Sequence, residues 1–384
     1  MTATKKTDTR ALLPNGLRDI LPPDAAFEAA TVEGLMAAFS GHGYDRVKPP
    51  LIEFEEGLLT GSGKATAAQT FRVMDPITQR MMGLRADITI QVARIAATRL
   101  SKTPRPLRLA YSGQVARVKG TQLRPERQFT QAGFELIGAQ GVDADAEVVL
   151  LAVEALGAVG IDTVTVDLNS PRLVPALCAA LGIDDETTAE VRKLLEQKDI
   201  AAVAALAGDK AEPLLALART VGPADQVLAR LEALDLPGEA ATHRDALTAL
   251  ARQVMARAPE ADVTIDPLEH KGFEYHQGNS FALFARGARG ELGRGGEYVS
   301  DLGASQERCR GVTLYLDSVL DVARRPAAPR RVLVPADLDR ATRRALVADG
   351  WATVPALGAS ADRAEAARLG CGHVLNGEGS PVPV

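Results

Sequence analysis

The chain has 384 residues with 46% apolar content, enough for two or three globular domains and a sizeable core. Forty-four basic against forty-nine acidic residues leave a net charge of -5, which removes any electrostatic argument for nucleic-acid binding. Three scattered cysteines, Cys178, Cys309 and Cys371, suggest neither a disulfide framework nor a zinc site. No apolar run reaches the roughly 20 residues of a membrane span, and no apolar segment follows the polar start, so a reducing cytoplasm is expected.

Residues Met1 to Arg10 read as a disordered leader. Asp24 then caps a predicted helix to about Ser40, with Phe27, Val32, Leu35, Met36 and Phe39 on or near one face, an apolar stripe expected to need a partner and to form a two-fold dimer face with the Pro50 strand. Gly41 and Gly43 end it, and YDRVKPPLIEF reads as a strand interrupted by Pro49 and Pro50. Thr70 to Leu84 fits a hairpin. ADITIQVARIAATRL opens on Asp87 and Thr89 and continues as a helix. Two strand-like runs, Arg108–Arg117 and Arg127–Ile137, are joined by a polar loop with Gly120 and Pro125, a second hairpin. A helix over about Asp143–Val159 and a strand, DTVTVDLN, come next.

From Ser170 to about Ala261, Ala, Leu and charged residues repeat at helical spacing, punctuated by Pro171, Pro213, Pro223 and Pro237; this reads as a helical insertion. Strand character returns at DVTIDPLEHKGFEYHQGNSFALFARG. LGRGGEY lacks the lysine and the strand–glycine–helix order of a phosphate loop, so a tight turn is expected there. A helix is predicted over about Gly311–Ala323, then a linker, RRPAAPRR. The remainder alternates strand, helix, strand, helix, strand, a compact βαβαβ tail.

The second hairpin carries the most chemistry. Gln131 and Glu135 are an even number of residues apart, so both share one strand face, and that face suits a cationic ammonium group. Arg117 lies at the loop end of the first strand. A purely structural Arg117–Glu135 ion pair is the alternative. His270 and His276 lack carboxylates at zinc spacing, and neither a metal nor a cofactor is expected.

Six ordered segments resemble histidyl-tRNA synthetase, a class II aminoacyl-tRNA synthetase. NGLRDILP resembles its N-terminal signature. HGYDRVKPPLIE resembles motif 1, whose proline, here Pro50, lies at the dimer interface of such cores. LRADITIQVAR resembles the LRPEGT segment, with Asp87 for the glutamate and Thr89 for the threonine. The second hairpin resembles motif 2. HKGFEYHQGNSF and GRGGEY resemble the histidine signatures RGLDYY and GGRYD.

The departures matter as much. The resemblance places Lys119 where motif 2 has a glutamate that partners adenine, and lysine has only donors. It places Ser318, after Asp317, where motif 3 has the arginine that clamps phosphate, and a hydroxyl brings no charge. Lys271 replaces the family's catalytic arginine, and His276 replaces a signature tyrosine. Adenylyl chemistry rests on positioned cations, so amino-acid activation is expected to be lost and no catalytic residue is assigned. The amino-acid side is better kept. By resemblance, Asp87, Gln131 and Glu135 take an amine, Arg117 or Lys271 a carboxylate, Tyr275 and Tyr298 an imidazole, and Thr89 adds a hydroxyl: a histidine-binding set.

The pattern resembles the regulatory subunits of ATP phosphoribosyltransferase, which are synthetase-like and do not charge tRNA. The resemblance implies an α+β fold with a mainly antiparallel, helix-flanked sheet. The expected domains are a core over 1–168 and 262–325, a helical insertion over 169–261, and a shortened anticodon-binding-like α/β tail over 329–384. It implies pairing with a short catalytic subunit, binding of L-histidine as a feedback signal, and a homodimer within a hetero-oligomer. Specific tRNA readout is not expected. A divergent histidyl-tRNA synthetase is the competing reading, and a ligase using another acceptor meets the same phosphate-clamp deficit.

Overall fold

The computed structural model describes residues 12–59, 66–122, 124–270, 276–302, 306–358 and 360–384; the leader and the predicted site residues Lys271 and Tyr275 lie outside them. The chain divides into two compact units, Met1–Arg324 and Arg325–Val384.

The first unit begins with α1 (Asp24–Gly41), β1 (Asp45–Arg46), β2 (Ile52–Phe54), α2 (Glu55–Leu58), β3 (Arg72–Met74), β4 (Met81–Leu84) and α3 (Thr89–Thr98). The long hairpin β5 (Leu107–Ala116) and β6 (Gln128–Ile137) follows, then α4 (Val142–Ala158) and β7 (Thr165–Asn169). The helical stretch holds α5 (Leu173–Ala180), α6 (Asp185–Glu196), α7 (Ile200–Ala207), α8 (Ala211–Ala218), the short β8 (Gly222–Pro223), α9 (Ala224–Glu232) and α10 (Gly238–Arg257). The chain then returns to the sheet through β9 (Asp262–Ile265), β10 (His276–Phe284), β11 (Gly293–Ser300) and β12 (Glu307–Tyr315), and ends the unit with α11 (Leu316–Val322).

Nine strands form one sheet in the order β1-β5-β6-β12-β11-β10-β7-β9-β8. Among the described residues of this sheet, only β1–β5 and β7–β9 pair in parallel. This is the expected α+β architecture. Period-two alternation sends Ala132, Phe134 and Leu136 of β6 into the main core with Leu35 and Phe39 of α1 and Val149 and Leu156 of α4. The other face carries Gln131 and Glu135 and a smaller core, in which Val92 of α3 meets Tyr111, Phe129, Tyr298 and Tyr315. Both β6 faces are therefore covered, and the polar pair is buried with the rest.

Four local expectations are corrected. Asp24 does not cap α1: Pro23 holds the N-cap position without a side-chain bond, and Asp24 sits in the first turn. LGRGGEY is no turn but most of β11, an interior strand. Its glycines serve close strand packing: a Cβ on Gly295 would lie 2.6 Å from the Phe281 ring, and one on Gly296 2.7 Å from Ser280 Cβ. The helix predicted from Gly311 begins at Leu316, because Gly311–Tyr315 completes β12 between β6 and β11. Finally, the α1 stripe is not a free surface. Phe27, Leu35, Met36 and Phe39 are buried within the chain.

Exposed apolar side chains gather instead on the three-stranded sheet β2-β4-β3, at Ile52, Phe54, Val73, Met74 and Met81. The second unit contains β13 (Arg330–Val334), α12 (Arg340–Ala348), β14 (Trp351–Pro355), α13 (Arg363–Arg368), β15 (His373–Leu375) and β16 (Pro381–Pro383). The expected βαβαβ order is present, with β16 added antiparallel to β15. Asp339 and Asp362 cap its helices. Among the described residues, no helix is long and apolar enough to cross a membrane.

Candidate functional site

Gln131 organises the polar face of β6. Its Oε1 accepts from Ile88 N at 3.2 Å, and its Nε2 donates to Asp87 Oδ2 at 2.9 Å. The other Asp87 oxygen accepts from Thr89 N at 2.9 Å, so the carboxylate sits at the start of α3, where helix N–H groups and the helix dipole favour negative charge. Thr89 Oγ1 lies 3.1 Å from Tyr111 OH and 3.3 Å from Thr313 Oγ1, and those two hydroxyls are 2.8 Å apart. Tyr298 OH donates to Glu135 Oε2 at 3.0 Å. Glu135 faces Gly311 across the β6–β12 register, where any Cβ would fall on its carboxylate.

The structure thus joins a half-buried Asp87 with buried Thr89 and Gln131 in one network, with the Glu135–Tyr298 pair beside it on the same sheet face. Arg117 stands apart from Glu135. Ala116 pairs with Gln128 and Leu109 with Glu135, which separates the two α-carbons by on the order of 25 Å along the strand. The alternative Arg117–Glu135 ion pair is therefore not formed. Arg117 Nε instead donates to Ala86 O at 3.3 Å, beside Asp87, and its guanidinium lies 5.0 Å from the Phe129 ring centroid.

Sequence reasoning missed Tyr111 and Thr313, which complete the hydroxyl network. Tyr111 faces Gly133 in register and its odd spacing along β5 could have found it. Thr313 left no such signal while its segment read as helix. His276, which departs from the family signature, is buried opposite Tyr298.

Burial sets the electrostatics. It pushes the Glu135 carboxyl up to about 8, against hydrogen bonds from Tyr298 and Thr89 that pull it down, and Asp87 adds a like charge. It also holds the Tyr298 and Tyr111 phenols well above their usual range and pushes Cys309 up to about 12. A cationic donor supplied by a ligand would reverse the penalty on Glu135.

The positions that the resemblance assigns to nucleotide are built differently. Lys119 is exposed. Ser318 is buried, and its hydroxyl accepts from Arg124 Nη2 at 3.2 Å. Arg124 Nε donates to Asp317 Oδ2 at 2.6 Å, and its guanidinium stacks 4.0 Å from the Tyr315 ring centroid. The place of the phosphate-clamping arginine thus holds a neutralised arginine–aspartate pair. Among the described residues, no group of three or more His, Cys, Asp or Glu could hold a metal ion.

A cavity of about 1160 Å³ opens on the same sheet face, reached through Arg294, which pairs in register with Thr313. Glu196, Asp266 and Glu269 line it. Burial, then the Asp167 and Asp266 charges, push Glu269 up to about 7.

The family model described as histidyl-tRNA synthetase matches residues 16–319. The chain is 72% identical over 384 residues, all of both chains, to a Rhodospirillum rubrum protein named ATP phosphoribosyltransferase regulatory subunit. It resembles the crystal structure of an ATP phosphoribosyltransferase regulatory subunit/histidyl-tRNA synthetase from Bacillus halodurans, with TM-score 0.78 and 21% identity over 93% of this chain and 96% of that one. A chain of the ATP phosphoribosyl transferase (HisG:HisZ) complex from Thermotoga maritima matches with TM-score 0.60 and 18% identity over 75% of this chain and 97% of that one.

Proposed function

This chain belongs to the family of ATP phosphoribosyltransferase regulatory subunits, and we propose that it senses free L-histidine on the polar face of β6 and passes that binding to a short catalytic subunit. It is a non-catalytic subunit of an enzyme of histidine biosynthesis. The observation that carries the histidine reading is the gathering of Asp87, Gln131, Glu135 and Tyr298 on one buried face, beside a phosphate place already filled by Arg124 and Asp317. The first offers partners for an amine; the second offers no free cation to a triphosphate.

In this reading Asp87 and Glu135 take the ammonium group of histidine. Gln131 fixes the orientation of Asp87. The carboxylate falls by family resemblance to Lys271, because Arg117 lies too far along the sheet from Glu135 for the two to hold groups on one carbon. Tyr298 and Tyr275 frame the imidazole, and Thr89 contributes a hydroxyl contact. Histidine inhibits the complex by binding one conformation more tightly than the other, since an effector shifts an equilibrium only by its differential affinity. The chain works in the cytoplasm as a homodimer within a hetero-oligomer and does not read tRNA. The divergent-synthetase reading needs an accepting partner for adenine and a free phosphate clamp, and Lys119, Ser318 and the Arg124–Asp317 pair weigh against both.

Reconstitution tests the reading. Mixed with the short catalytic subunit, the chain should raise phosphoribosyltransferase activity and make it sensitive to histidine. Glu135→Ala should shift the inhibition curve to roughly tenfold to a hundredfold higher histidine while leaving the histidine-free rate largely intact. An unshifted curve would move the sensing site to the catalytic subunit or the interface.

A further inference from the structure

Two glycines clear the sheet face beneath Glu135. A Cβ on Gly133 would lie 2.6 Å from the Tyr111 hydroxyl, and one on Gly311 would fall on the Glu135 carboxylate. Side chains of neighbouring strands can therefore lie flat across β6 and β12. Tyr111, Gly133 and Thr313 share one row of the register. Leu109, Glu135 and Gly311 form the next row on the same face. Tyr111 crosses β6 over Gly133 and reaches Thr313 Oγ1 at 2.8 Å. Thr89, at the start of α3, closes a triangle of hydroxyls, 3.1 Å from Tyr111 and 3.3 Å from Thr313. All three residues are buried.

Three hydroxyls own three hydrogens, so the triangle has a choice. Donation around the ring would leave none for any other group. Glu135 offers a better acceptor, and the Thr89 hydroxyl pulls its carboxyl down, as the Tyr298 hydroxyl does. The charged and titratable groups facing Glu135 are Asp87 ahead of α3, Tyr111 on β5, Tyr298 on β11, Cys309 on β12 and, from the main core, Tyr44. None of these described groups is a cation. Hydroxyl donors are what this carboxyl has, and a hydroxyl that itself accepts a hydrogen bond donates more strongly.

We propose that Tyr111 and Thr313 are positioning residues of the histidine site: Tyr111 donates to Thr313, Thr313 donates to Thr89, and the chain turns the Thr89 hydrogen onto the Glu135 carboxyl. The phenol heads the chain because it is the strongest donor and the weakest acceptor of the three. Its contact with Thr313 is also the shortest. The proposal rests on the reading of Glu135 as the partner of the ligand's amine. Neither Tyr111 nor Thr313 needs to touch the ligand; both act through Thr89.

Carbon-13 NMR of the full chain, labelled at the glutamate carboxyl carbons, tests this without any ligand, with Glu135→Gln identifying the resonance. Tyr111→Phe together with Thr313→Val should raise the Glu135 midpoint by about half a pH unit. Calorimetry should then show histidine binding about threefold weaker at neutral pH, a gap that closes as pH rises past the midpoint. A merely structural loss would weaken binding equally at every pH. Thr313→Ser, which keeps the hydroxyl, should keep the parent's midpoint. In a Thr89→Val background the same two changes should move nothing, since the chain passes through Thr89. If the double variant does not fold, each single variant, matched to the parent by circular dichroism, carries the same comparison. An unmoved or lowered midpoint, or a shift that persists in Thr89→Val, would overturn the proposal and leave the histidine reading to Glu135→Ala. A raised midpoint in a chain whose parent binds no histidine would keep the hydroxyl chain and sink the histidine reading instead.

Discussion

Glu135 is 1% exposed, and the cost of its charge shapes how the pocket behaves. Burial raises its carboxyl from 4.5 to about 8. Between those values the folded chain keeps the proton and the unfolded chain releases it. The stability tied to this group is thus fully present below about 4.5 and is lost as pH rises toward 8. At neutral pH the loss is on the order of 3 kcal/mol. Glu135→Gln removes the ionisable group while keeping its shape. It should melt higher than the parent at pH 8 and about level with it at pH 5; a variant less stable at pH 8 would contradict the assigned burial. Ligand binding has the opposite sign. An ammonium group needs the ionised form, so histidine binding should release a proton from Glu135 and weaken by up to about tenfold per pH unit below 8, beyond histidine's own titration.

At the scale of elements, the hairpin β5–β6 was legible because its alternation, its polar loop and its Gln131–Glu135 spacing all pointed to one face. β11 and β12 were not. Their glycines mimic a turn in one dimension, and only the neighbouring Phe281, Ser280 and Glu135 explain them. The start of α11 was misjudged for a related reason: GVTLY and LDSVL run together with no proline or glycine between them, and pairing with both β6 and β11 decides where strand ends. The α1 stripe was read correctly as apolar, but its partner proved to be the chain's own β6 and α4. The exposed apolar side chains of β2, β3 and β4 are therefore the better candidate for self-association. Light scattering at micromolar concentration should show a dimer, and Val73→Asp with Met74→Asp should shift it toward monomer. A soluble monomeric parent would remove this face from the assembly.

For the whole molecule, the division of labour follows from what each face of the fold retains. One face of β6 holds a largely buried polar set. The position that the resemblance gives to a phosphate clamp holds an internal arginine–aspartate pair instead. Purified chain should show no histidine-dependent ATP–pyrophosphate exchange; turnover near about 1 per second or faster would restore the synthetase reading.

Calorimetric titration of the purified chain with L-histidine, in the absence of ATP, tests the central claim most directly. The account predicts saturable binding that Glu135→Ala weakens by about 1.5–3 kcal/mol, the range for hydrogen bonds to charged groups. Unchanged affinity in that variant, or no binding to the parent chain, would contradict it.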